Sequence, residues 1–225
     1  MEKINLLFQK WRGSYSRELG INLKEKDYKE VGKWFIASML FGARISEAIA
    51  MRTYREFERN NLLTPDRILE AGWDRLVEIF DSGGYARYDF KTATKFLEVM
   101  KNLKERYGGN LNSLHEAAVN EKDLEQRIKG LGKGIGDVTV NIFLRELRGI
   151  WGKARPLPQR LVITAARELG FTEIRGDSEM EREEILEDLL RIWEENRVKG
   201  KDFVDLEVAL LRAGKDYRRH RISKD

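Results

Sequence analysis

The sequence predicts an all-α protein on three observations. Apolar residues recur at helical spacing through most of the chain, glycine and proline stand where such segments must stop, and alternating strand patterns are weak. Residues 28–57 are amphipathic through Val31, Phe35, Ile36, Met39 and Leu40, then Ile45, Ile49 and Met51, with Gly42 separating two helices. Thr64-Pro65-Asp66 opens the next, since threonine accepts from orphaned first-turn amides and proline suits the first helical position. Ile68, Leu69, Leu76, Val77 and Ile79 supply the core face of that helix and its successor. Ser82-Gly83-Gly84 is a break, and residues 88–107 return to helical spacing through Phe90, Ala93, Phe96, Leu97, Met100 and Leu103. Gly108-Gly109-Asn110 ends them. Past the crossover at Pro156-Leu157-Pro158, helices are expected over 161–169, stopping at Gly170, over 178–198 and over 203–211.

A chain of 225 residues makes one medium domain or two small lobes. Forty-two basic against 38 acidic residues leave a net charge of +4, with a pI near 9.1. Such a mildly basic surface requires any nucleic-acid contact to be local and geometric. Charged residues make up 36% of the chain and cysteine is absent, a profile commoner in proteins from hot environments. Without cysteine there is no disulfide, cysteine-ligated zinc or iron–sulfur cluster. His115 and His220 stand far apart in sequence, so no metal site is expected. No apolar run suits a signal peptide or a membrane span. The expectation is a soluble, cytoplasmic monomer, nucleoid-associated in a prokaryote.

The most informative stretch is Leu131-Gly132-Lys133-Gly134-Ile135-Gly136-Asp137-Val138-Thr139, followed by the apolar run from Val140 to Leu147. Three alternate glycines do not belong inside a helix, where each forfeits about 1 kcal/mol against alanine. They suit a tight hairpin between two helices whose backbone reaches positive φ. Exposed amides there and at the following helix start form an anion site, and phosphate is the natural anion. A Walker loop would need Gly-Lys-Ser/Thr at its close, and a Rossmann fingerprint a buried strand before it. Neither is present.

These residues resemble the helix-hairpin-helix motif of base-excision DNA glycosylases related to endonuclease III. Trp34 to Leu40 looks like that family's first core helix, and Phe41-Gly42-Ala43-Arg44 falls where its members carry a DNA-probing residue. Gly83-Gly84-Tyr85 is similar to its turn before a basic helix, and residues 161–171 to the helix after its catalytic aspartate. The resemblance implies a two-lobed glycosylase-like fold with a central cleft. One lobe is continuous over 30–145, with its hairpin at 132–136, and the other joins 1–29 to 146–225. It implies double-stranded DNA with a damaged or mismatched base as partner, and a monovalent cation held by hairpin carbonyls as the one candidate cofactor.

The departures bear on chemistry. Val138 stands where lyase-competent members carry the lysine that forms a Schiff base, and valine cannot. Gln159 stands where the family's aspartate is expected. Asp137 is the first candidate for a relocated carboxylate, or else a cap suiting the helix dipole. Glu47 is the second, or else a surface partner of Arg44 or Arg52. Gln159 either reads a flipped base or caps its helix. DNA contacts are expected from Arg44, Gly132, Lys133, Gly134, Gly136, Val138, Thr139, Lys153 and Arg160. Tyr85, Tyr88 and Trp151 are the candidate stacking partners of a flipped base, against ordinary core roles. Trp34 and Trp193 are taken as core.

Three functions are open to this sequence. It is a DNA glycosylase with an atypical active site, a non-catalytic module for distorted DNA, or a helical protein–protein adaptor in which the glycines are only a turn. The low net charge favours the adaptor, and the ordered resemblance favours the glycosylase.

Overall fold

The computed structural model describes residues 2–11, 13–85 and 89–222. Among them are helices and turns and no strand, so the protein is all-α. The helices are α1 (Glu2–Lys10), α2 (Tyr15–Glu18), α3 (Tyr28–Phe41), α4 (Glu47–Arg59), α5 (Pro65–Ser82) and α6 (Asp89–Tyr107). They continue as α7 (Leu111–Ala117), α8 (Glu121–Lys129), α9 (Asp137–Arg145), α10 (Arg160–Glu168), α11 (Glu179–Glu195) and α12 (Phe203–Ile222).

Local chemistry sets most of these ends. Thr64 accepts the Arg67 amide at 3.3 Å with Pro65 in the first turn of α5. Gly72 (φ 73°, ψ −177°) kinks α5 into the helix and successor that the sequence suggests. Ser178 and Glu181 cap each other reciprocally at the start of α11. The last helix continues well past Leu211, because its polar end has partners. Trp11 Nε1 donates to Asp216 at 2.7 Å, the Trp11 and Tyr217 rings meet edge to face, and Lys215 donates to the Tyr15 hydroxyl at 3.2 Å.

The chain divides into two compact units, Leu19–Arg155 and Met1–Glu18 with Pro156–Asp225. The boundaries differ from residues 30 and 145 for physical reasons. Leu19, Ile21 and Leu23 are buried, Arg55 donates to the Leu19 carbonyl at 3.1 Å, and the Asn22 amide donates to Glu30. At the other end, Leu147 and Trp151 are buried, and Trp151 Nε1 donates to Asn112 at 3.0 Å.

In the unit Leu19–Arg155, Phe57, Phe80 and Phe96 pack with ring centroids 5.2–5.4 Å apart. Each buried ring of this kind contributes about 1.5–3 kcal/mol. This cluster joins α4, α5 and α6. Helix α9 lies against α3: Trp34 Nε1 donates to the Phe143 carbonyl at 3.0 Å, and Phe35 meets Phe143 at 5.0 Å. Just past the end of α3, Gly42 packs against Thr139 of α9. A methyl group at Gly42 would stand 2.2 Å from Thr139 Oγ1.

In the unit containing both termini, α10 and α12 also meet through a glycine. A Cβ on Gly214 would lie 2.0 Å from the Leu161 carbonyl oxygen. The buried Asp205 carboxylate ties α2 to the start of α12. It accepts the amides of Ser14 at 3.1 Å and Asp202 at 3.0 Å and pairs with Arg17 at 2.6 Å. Burial by itself would raise this carboxyl, but the two amides and the guanidinium together outweigh it and hold it below the ordinary value.

Two stability experiments follow from these contacts. On α3 the same substitution should act with opposite signs. Gly42→Ala should cost about 1–3 kcal/mol in urea unfolding by overpacking Thr139. Gly32→Ala, with nothing within 4 Å of the added methyl, should gain roughly 0.5–1 kcal/mol. Asp205 has a lowered folded pKa, so its stabilisation is complete above the unfolded value near ~3.9 and fades as pH falls through the folded value. Urea midpoints below about pH 4 should therefore fall more steeply for the wild type than for Asp205→Asn.

Candidate nucleic-acid interface

Between α8 and α9 the chain makes a tight glycine turn built on two buried plugs, Leu131 and Ile135. The Ile135 amide donates to the Gly132 carbonyl at 3.2 Å and closes the turn. Gly132 abuts α6 so closely that a Cβ would stand 2.7 Å from Val99 Cγ2. Gly134 has φ +86°, a left-handed conformation that glycine adopts freely. Gly136 is extended (φ −102°, ψ −178°) and occupies the N-cap of α9 with no side-chain cap.

The turn has two chemically different sides. Its carbonyls are braced: Arg106 donates to the Gly130 carbonyl at 2.7 Å and Asn102 to that of Leu131 at 2.8 Å. Glu98 accepts the Lys133 amide at 3.3 Å. By contrast, the amides of Gly134, Gly136, Asp137 and Val138 have no acceptor among the described residues. Gly134, Gly136 and Val138 are also exposed. Unused amides at a helix start, with the positive end of the helix dipole behind them, favour an anion.

The structure gathers Gly132, Lys133, Gly134, Gly136, Asp137, Val138 and Thr139 at this turn. Lys133 is exposed and Val138 is 56% exposed, whereas Thr139 is buried against Gly42. Asp137 does not cap α9. It is the first helical residue, and its carboxylate, 88% exposed, pairs with Lys129 at 2.5 Å. Arg44 is exposed between α3 and α4, and Glu47, half-buried, opens α4 behind the Ser46 cap. Lys153 spends its ammonium on the His115 carbonyl at 2.8 Å.

Gln159 and Arg160 belong to the other unit. Gln159 is the N-cap residue of α10 without a side-chain cap bond, and Arg160 pairs with Asp177 at 2.8 Å. Of the stacking candidates, Tyr88 lies outside the described residues. Tyr85 is buried, with its hydroxyl accepting from Thr92 at 3.1 Å and its ring 5.4 Å from Phe80. Trp151 is buried beneath the His115 ring at 4.6 Å, with Phe143 at its edge. Both rings serve the core of their unit.

Sequence reasoning missed the polar face of α6. Lys95, Glu98, Asn102 and Arg106 recur at three- and four-residue spacing, which aligns them along one side of the helix. Only the apolar face announces itself by hydropathy, so this spacing was the sole available signal. Lys95 is half-buried and drapes over the turn, with Cδ 3.4 Å and Nζ 3.9 Å from where a Gly134 Cβ would be. Burial lowers its pKa. An exposed aromatic pair was also missed: Phe90 stacks on Trp73 at 5.3 Å.

Among the described residues no group of three histidine or acidic side chains is placed to hold a metal ion, and no helix is long and apolar enough to cross a membrane. Comparison of the chain with protein-family models and with curated proteins finds no match.

Gly136→Val isolates the amide side of the turn. Its extended backbone tolerates a β-branched residue and nothing lies within 4 Å, so folding stability should change by no more than about 1 kcal/mol. The isopropyl group would still stand in the path of an approaching phosphate. Affinity for duplex DNA, titrated at fixed salt, should fall at least about tenfold. Unchanged affinity would remove the turn from the interface.

Proposed function

We propose that this chain is an endonuclease III-like helix-hairpin-helix protein that grips duplex DNA by one phosphate and excises a damaged or mismatched base flipped from the stack. The observation that carries the reading is the set of unused amides at Gly134, Gly136, Asp137 and Val138, on a turn braced from behind by α6. Such a site takes an anion without needing a basic surface, in keeping with a net charge of only +4. The resemblance of the hairpin and its flanking helices supplies the DNA, and with it the excision step.

For excision a negative charge must lie near the sugar in a site dry enough for that charge to count. Asp137 meets this poorly. It stands in water beside Lys129, and a carboxylate at high dielectric stabilises a positive charge about 4 Å away by only about 1 kcal/mol. Glu47, half-buried near the exposed Arg44, is the better carboxylate. The exposure of Asp137 and the valine at 138 favour one second reading, a non-catalytic module for distorted DNA.

A panel of lesion-bearing duplexes, read on alkaline gels, separates the two readings. The glycosylase reading expects cleavage at one lesion or more. Glu47→Gln should slow it about a hundredfold, and Asp137→Asn should leave it within a few-fold. If no lesion is excised and abasic duplex is still bound, the binding-module reading replaces the first.

A further inference from the structure

Among the described residues of its unit, no acid is paired with Lys95. Its side chain is half-buried on the face of α6 that braces the turn, and burial lowers its pKa. Even partial withdrawal of an ammonium from water without a counter-charge has a cost, so the arrangement is favourable when a ligand supplies one. The side chain runs along Gly134, where the missing Cβ leaves room: Cδ, Cε and Nζ lie 3.4, 3.7 and 3.9 Å from the position it would occupy. The ammonium thus ends beside the residue that opens the row of unused amides.

Two neighbouring cations are engaged elsewhere. Lys129 is occupied by Asp137, and Arg106 donates to the Gly130 carbonyl. The carbonyls of Gly130, Leu131 and Gly132 already accept from Arg106, Asn102 and Ile135, so a free cation held there would share oxygens with three protein donors.

We propose that Lys95 is a DNA-phosphate ligand, its ammonium meeting the phosphate gripped by the amides of Gly134 and Gly136. It supplies from α6 the positive charge that the family resemblance assigns to a bound monovalent cation. This inference rests on the DNA-binding part of the proposed function.

The test uses the full chain and a fluorescein-labelled duplex of roughly 20 base pairs with a central tetrahydrofuran abasic analogue, titrated by anisotropy from about 50 to 200 mM salt. Lys95→Met keeps length and packing and removes the charge. It should weaken binding roughly tenfold and reduce the steepness of log affinity against log salt by about 0.9. Its urea midpoint should match or exceed that of the wild type, since a half-buried ammonium no longer has to be partly desolvated. Lys95→Arg should keep the wild-type slope, and exchanging sodium for potassium at equal ionic strength should leave wild-type affinity within about twofold.

An unchanged salt slope in Lys95→Met, whatever its affinity, overturns the proposal. So does wild-type binding that rises several-fold in potassium, because a bound cation then supplies the charge. Both results leave the proposed function standing if Gly136→Val weakens binding. A wild type that does not bind the duplex overturns both.

Discussion

The start of α9 is fixed by close backbone approach, and the properties of the turn depend on that constraint. Gly42 lets α3 come against Thr139, one turn into α9, and Gly132 lets the turn come against Val99 on α6. No larger residue fits at either place without displacing a neighbour. The first-turn amides of any helix lack an acceptor within the helix, and Gly136 has no side chain with which to cap them. A helix start left uncapped at its surface costs some stability, and it preserves a site for an anion.

Electrostatics divides the work around this turn by burial. Asp137 and Lys129 cancel one another at the surface, where solvent screens them. Lys95 is half-buried, and no carboxylate among the described residues pairs with it. The same principle ranks the carboxylates, because a group in water exerts little field on a sugar and a half-buried one exerts more. An interface built this way needs few charges, provided each is placed against fixed donors. The protein can then carry almost equal numbers of acids and bases and still present a local anion site.

Much of the helical architecture was legible in the sequence, for reasons that attach to particular residues. Thr64-Pro65, Ser178 with Glu181, and the positive-φ glycines at 108 and 170 act within a few residues of themselves, so their meaning does not depend on the fold. The glycine turn was readable because three alternate glycines have few other uses. What stayed hidden depends on tertiary neighbours. Lys95 looks like any lysine on an amphipathic helix until α6 is known to lie under the turn. Trp151 and Tyr85 look equally suited to stacking on a base or filling a core, and only His115, Phe80 and Phe143 decide their burial. The last helix reads as ending at Leu211 until Trp11 and Tyr15 are placed against Asp216 and Lys215.

In the proposed function the backbone of the turn, rather than a diffuse basic surface, holds the DNA. Amide chemical shifts of the 15N-labelled protein, followed as an abasic duplex is added at moderate salt, test this. The largest shifts should fall on the amides of Gly134, Gly136, Asp137 and Val138, whose protons would gain a phosphate acceptor, with smaller ones across α6. Shifts spread over exposed lysines and arginines, with those four amides unmoved, would contradict it.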